Sequence, residues 1–135
     1  MKERKFVVIG VLLNNTEPVK PAIDVRKMGV KIPVGDGSPI SMNIGDNVTA
    51  ASNTTITIRC PVSGVPTPSV TWHKDGVQMF EEDRVTFIAD NNSLVIELAT
   101  VVDSAKYTCR VQSVFGMDEV SSQVNLIGNL IVHLI

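Results

Sequence analysis

This chain of 135 residues has few of the groups that do chemistry: two histidines, two cysteines, one tryptophan and one tyrosine. Enzymes bring a nucleophile, a base and a charge-stabilising group together. His73 follows Trp72 in an alternating stretch, which turns it away from the face carrying the tryptophan. His133 lies in an apolar stretch, and neither histidine has a serine and a carboxylate placed beside it. No Cys/His spacing suits zinc. The acidic run Glu81-Glu82-Asp83 lacks the alternating oxygen ligands and turn glycine of a calcium loop. The reading therefore contains no catalytic residue, no metal and no cofactor.

Two further absences narrow the partners. No segment approaches the roughly 20 apolar residues of a membrane span, so no membrane insertion is expected. The net charge of −2 divides unevenly, with +3 over residues 1–39 and −5 over residues 40–135. An acidic body lacks the clustered Lys and Arg that phosphate binding needs, which argues against nucleic acid. The basic N-terminal stretch reads as a solvated tail.

Cys60 and Cys109 lie 49 positions apart. They can form one bridge, which persists in oxidising compartments, or stay as two buried thiols of an intracellular protein. Four asparagines, Asn14, Asn47, Asn53 and Asn91, open N-x-[ST] sequons with no proline in the middle. That number in so short a chain, with three at expected turns or strand ends, favours a secreted glycoprotein. Met1–Lys5 followed by Phe6–Leu13 is similar to the start of a signal peptide, yet Glu3 is unusual there and no A-x-A-like cleavage site follows. The expectation is an internal piece of a longer secreted protein.

Residues 14–39 contain Pro18, Pro21, Pro33 and Pro39 and hold neither periodicity. Residues 1–37 are accordingly expected to be a disordered linker, with one short extended piece around Val30–Ile32. From Ile40 apolar residues recur at every second position with turn residues about ten apart, the pattern of an all-β sandwich. The domain is expected over 38–127, and the uncharged run 128–135 as an apolar, aggregation-prone tail.

Within that domain Trp72 follows Cys60 by twelve residues, and Tyr107 precedes Cys109 by two. The stretch Gly64-Val-Pro66-Thr-Pro68-Ser-Val70-Thr-Trp72-His-Lys74-Asp75-Gly76 and the positions Leu94, Ile96, Asp103, Tyr107, Cys109 and Gly116 complete the pattern. These residues resemble the I-set class of immunoglobulin modules. The departures are Ala99 for a larger apolar residue, Ala105 for Gly and Ser113 for Asn. The resemblance implies an immunoglobulin-like Greek-key sandwich, two antiparallel sheets joined by a Cys60–Cys109 disulfide with Trp72 packed against it. It also implies a salt bridge between Arg84 and Asp103 beside the Tyr107 corner. The phrases Ile44-Gly-Asp-Asn-Val-Thr49 and Asn53-Thr-Thr-Ile-Thr-Ile-Arg-Cys60 are similar to immunoglobulin modules of the ADAMTS-like (punctin-type) and papilin-type secreted matrix proteins.

The function implied is a non-catalytic protein-interaction module of a secreted, multidomain glycoprotein of the matrix or pericellular space. The alternatives are an ectodomain module of an adhesion protein or receptor, and an intracellular filament module with reduced cysteines. The partner is a protein, and nothing in the sequence indicates self-association. Candidate contacts are the outward residues His73, Arg110, Gln112 and Gln123, together with Phe115 at a turn and the apolar pair Met79-Phe80.

Overall fold

The computed structural model describes residues 17–25, 31–35 and 37–128, with 31–35 given as backbone alone. The strands run β1 (Val19–Ile23), β2 (Lys31–Gly35), β3 (Ile40–Asn43), β4 (Asn47–Ala51), β5 (Thr54–Arg59) and β6 (Val62–Val65). They continue as β7 (Ser69–Lys74), β8 (Val77–Gln78), β9 (Val85–Ile88), β10 (Ser93–Ala99), β11 (Ala105–Ser113) and β12 (Gly116–Ile127).

Alternation decides the layers. On β5, Thr54, Ile56 and Ile58 are buried while Thr55, Thr57 and Arg59 are half-buried, because successive strand side chains point to opposite faces. One layer has the order β3-β5-β10-β9, the other β2-β4-β12-β11-β7-β8. Ile56, Ile58, Leu94 and Ile96 from the first face Trp72, Tyr107, Cys109, Val111 and Val124 from the second, none more than 3% exposed. Burying each of the larger side chains contributes about 1.5–3 kcal/mol. The centres of both layers are antiparallel. Parallel pairing enters at the edges, where β3 lies along β5, β4 along β12, and β2 along β4.

Residues 17–25 depart from the expected linker. β1 pairs antiparallel with β6, and Ile23 is a core residue at 4% exposure. The Ile23 amide donates to Asp118 Oδ2 at 2.9 Å, and the Asp24 amide to the Pro61 carbonyl at 2.8 Å. Pro18 and Pro21 obscured the strand, since a proline cannot donate to a ladder. Pro21 is tolerated because it falls in the register shift between Val19 and Ala22, a place where prolines occur in sheets. Pro33 sits likewise inside a shift of β2. Gly64 makes the close approach of β1 feasible. At φ +150°, a Cβ there would lie 2.7 Å from Pro68 Cγ and 3.1 Å from Pro21 Cα.

β10 carries an irregularity between Ile96 and Ala99, and within it Leu98 has φ 46° while remaining 58% exposed. A left-handed leucine costs about 1–2 kcal/mol, whereas asparagine visits this region routinely. The Leu98 amide bonds Thr55 Oγ1 through the backbone, so a substitution keeps it. Leu98→Asn should therefore raise stability by about 1 kcal/mol, read as a higher denaturant midpoint with an unchanged slope. A lower midpoint would show that the leucine side chain is needed where it stands.

Candidate interaction surface

The sequence pattern's own residues are consumed by the scaffold. Cys60 and Cys109 are bonded across the two layers, with Cα atoms 6.6 Å apart. Trp72 is the direct ladder neighbour of Cys109, and Leu94 and Tyr107 are fully buried. At the turn before β11, the Tyr107 hydroxyl donates to the Asp103 carbonyl at 2.5 Å. Asp103 itself receives two bonds from Arg84, Nη1 to Oδ2 at 3.1 Å and Nη2 to Oδ1 at 3.3 Å. The Thr100 amide adds a third at 2.8 Å.

These contacts set the local electrostatics. Burial pushes the Asp103 carboxyl upward, but the bonds from Arg84 and Thr100 and the charges of Arg84 and Lys74 hold it below the usual carboxylate range. Burial, with the Asp103 charge beside it, pushes the Tyr107 phenol well above its ordinary value. Both groups are spent on structure. Among the described residues no cluster of His, Cys, Asp and Glu could hold a metal ion.

The outward face of β7, β11 and β12 carries four of the sequence candidates, and its polar groups mostly satisfy one another. Arg110 Nε pairs with Glu119 Oε1 at 2.9 Å, and Thr108 Oγ1 lies 2.7 Å from Ser121 Oγ. Gln123 Nε2 donates to Asn125 Oδ1 at 3.3 Å, and Gln112 is exposed. His73 needs correction as a contact residue. It does turn from the core, but it is only 7% exposed, with Nε2 at 3.0 Å from Thr71 Oγ1. Desolvation by its neighbours, then the Arg110 charge, lowers its pKa despite Glu119. Its ring offers almost nothing to a partner.

The β11–β12 turn is different in kind. Val114 is 91% exposed, Phe115 41% and Met117 57%, and the Phe115 amide donates to Ser113 Oγ at 3.1 Å to fix the turn. Sequence reasoning named only Phe115 here. The signal for the other two was the apolar run Val114-Phe115-Gly116-Met117 at a position where turns are polar. Near β8, Phe80 is exposed while Met79 packs on the core. Together with Lys74, Asp75, Val77 and Glu82 they line an open groove of about 500 Å³.

The sequon asparagines are spread around the sandwich. Asn47 is exposed on β4, its Oδ1 accepting from the Gln123 amide at 2.9 Å. Asn53 and Asn91 are exposed turn residues with φ of 68° and 53°. Asn14 lies outside the described residues.

Comparison with known proteins agrees with this layout. The chain is 34% identical over 74 residues to human hemicentin-1, covering 55% of this chain and 1% of that protein. It is 33% identical over 117 residues to the human SPEG neighbor protein, covering 84% of this chain and 47% of that one. Papilin of Drosophila melanogaster is 41% identical over 61 residues, covering 45% of this chain and 2% of the relative. The chain thus spans less than half the length of each of these relatives. Among solved structures, a titin domain at atomic resolution superposes with TM-score 0.63 and 21% identity, covering 84% of this chain and 99% of that one. The immunoglobulin I-set family profile matches residues 40–126. With the disulfide, the buried tryptophan and the tyrosine corner in place, the chain belongs to the immunoglobulin I-set domain family.

Proposed function

We propose that this chain is a protein-binding module of a secreted glycoprotein of the matrix or pericellular space, and that the β11–β12 turn is its contact point. The observation that carries the contact assignment is the apolar tip of Val114, Phe115 and Met117. A partner seated on the outward sheet face would have to desolvate groups already paired with each other, which subtracts from affinity. A partner seated on the tip gains by removing apolar surface from water. Secretion is supported by the cross-sheet disulfide, by the exposed Asn47, Asn53 and Asn91, and by the similarity to papilin and hemicentin-1.

Two experiments test the reading. Expression through the secretory pathway of cultured animal cells should yield protein with no titratable thiol and a mass that falls on enzymatic deglycosylation. Two free thiols and no glycan would favour the intracellular filament alternative, to which the titin likeness lends its support. For the contact point, Phe115→Ser with Met117→Ser should leave the unfolding midpoint within about 0.5 kcal/mol of the parent, as exposed sites do. The same variant should abolish capture of the partner that the parent retains from extracellular matrix extract. Retained capture, or a collapsed fold, removes the tip from consideration.

A further inference from the structure

The opposite end of the sandwich carries a second apolar feature that the tip does not explain. The 3-10 turn Val101–Asp103 leaves Val101 50% and Val102 74% exposed, with Leu98 on the preceding bulge at 58%. Valine side chains on a turn with a buried Asp103 beneath them are held in place. The turn is anchored by Arg84 and Thr100 on the carboxylate, and Lys74 Nζ donates to the Val102 carbonyl at 3.2 Å. This is a fixed apolar platform on a loop of a kind that is ordinarily polar.

The chain leaves the domain at this same platform. The Ile127 carbonyl accepts from the Ser52 amide at 3.0 Å and from Ser52 Oγ at 2.7 Å, and the Leu126 amide donates to Ser104 Oγ at 2.8 Å. Those bonds fix the exit point and its direction. At the next residue, a Cβ built on Gly128 would meet Val101 Cγ2 at 3.4 Å, so the backbone passes directly against the first platform valine. The segment 129–135 that follows reads Asn-Leu-Ile-Val-His-Leu-Ile and carries no Asp, Glu, Lys or Arg. Even its first three residues can reach about 10 Å, enough to cross one turn.

We propose that the Val101–Val102 platform is a docking surface and that its occupant is the chain's own segment 129–135, laid over the turn directly from Gly128. Three features favour this occupant. It is apolar like the platform and is tethered beside it, so its effective concentration there far exceeds that of any free partner. It also starts in van der Waals range of Val101. The docked segment would hide surface that otherwise invites association between copies.

The test uses the full chain and two readouts. Methyl nuclear Overhauser spectra should show contacts from Val101 and Val102 to Leu130, Ile131 or Val132, and their absence overturns the proposal. Cleavage within 129–135 by chymotrypsin should be about tenfold faster in Val101→Ser with Val102→Ser than in the parent, because proteolysis follows the open population. These valines are at least half exposed, so the variant should keep the parent's unfolding midpoint. Equal cleavage rates overturn the proposal. So does protection in the parent that rises with protein concentration, which would make a second copy the occupant.

Discussion

Replacing Cys60 and Cys109 together by alanine should cost about 4 kcal/mol of unfolding free energy, the largest loss expected from any change considered for this domain. The bridge closes a loop of 49 positions, and in the chain-entropy view a closure of that length constrains the unfolded state by this amount. Two fully buried sulfurs also leave the space between the layers. Domains of this size hold about 5–15 kcal/mol in total, so the variant would be marginal at body temperature. Denaturant titration of the parent, with and without reductant, and of the double variant measures the loss. A loss under about 1 kcal/mol would show that the interlayer apolar packing suffices without the bridge, as the intracellular reading requires.

Asp103→Ala should cost about 3 kcal/mol, the scale expected when one partner of a buried, hydrogen-bonded charge is removed. The variant frees the Thr100 amide and strips Arg84 of its carboxylate. Removing the arginine instead is a weaker insult. Its side chain is 44% exposed and water takes over, so Arg84→Gln is expected to cost less than 1 kcal/mol. The pH dependence separates the two roles. Asp103 holds its proton less tightly when folded than when unfolded, so its contribution is complete above the ordinary carboxylate range near pH 4. It is lost as pH falls through the depressed folded value. The parent should therefore lose stability below about pH 4 more steeply than Asp103→Ala. Identical acid limbs would mean that Asp103 acts through shape alone. At the alkaline end the sign reverses for Tyr107. Its raised phenol pKa gives stability that is intact below pH 10 and declines above it.

The sandwich was legible because its determinants are local in sequence and few in number. Period-two alternation names the inward residues Ile56, Ile58, Trp72, Leu94, Tyr107 and Val124, and the structure buries all of them. Burial of His73 was illegible for the opposite reason. Alternation says which way a side chain points, not whether Thr71 and the neighbouring strand then cover it. β1 was hidden by its prolines, whose effect depends on a register shift that only the partner strand reveals. Leu98 in a left-handed bulge broke the expectation that a leucine in a strand is core. The apolar tip was half visible, since a hydrophobic turn residue can either fold back or stand out. Only the packing around Phe115 decides which.

The pairing of β1 with β6 has a practical bearing on where this domain can be cut. The family profile begins at residue 40, yet Ile23 fills part of the core and β1 occupies the ladder of Val62–Val65. A fragment started at residue 38 would bare an apolar slot and a row of unpaired backbone groups on the same edge. Such an edge is a template for strands of neighbouring molecules. The nine residues 17–25 thus act as a built-in guard against fibre-like stacking, and an expression boundary placed before Glu17 preserves it.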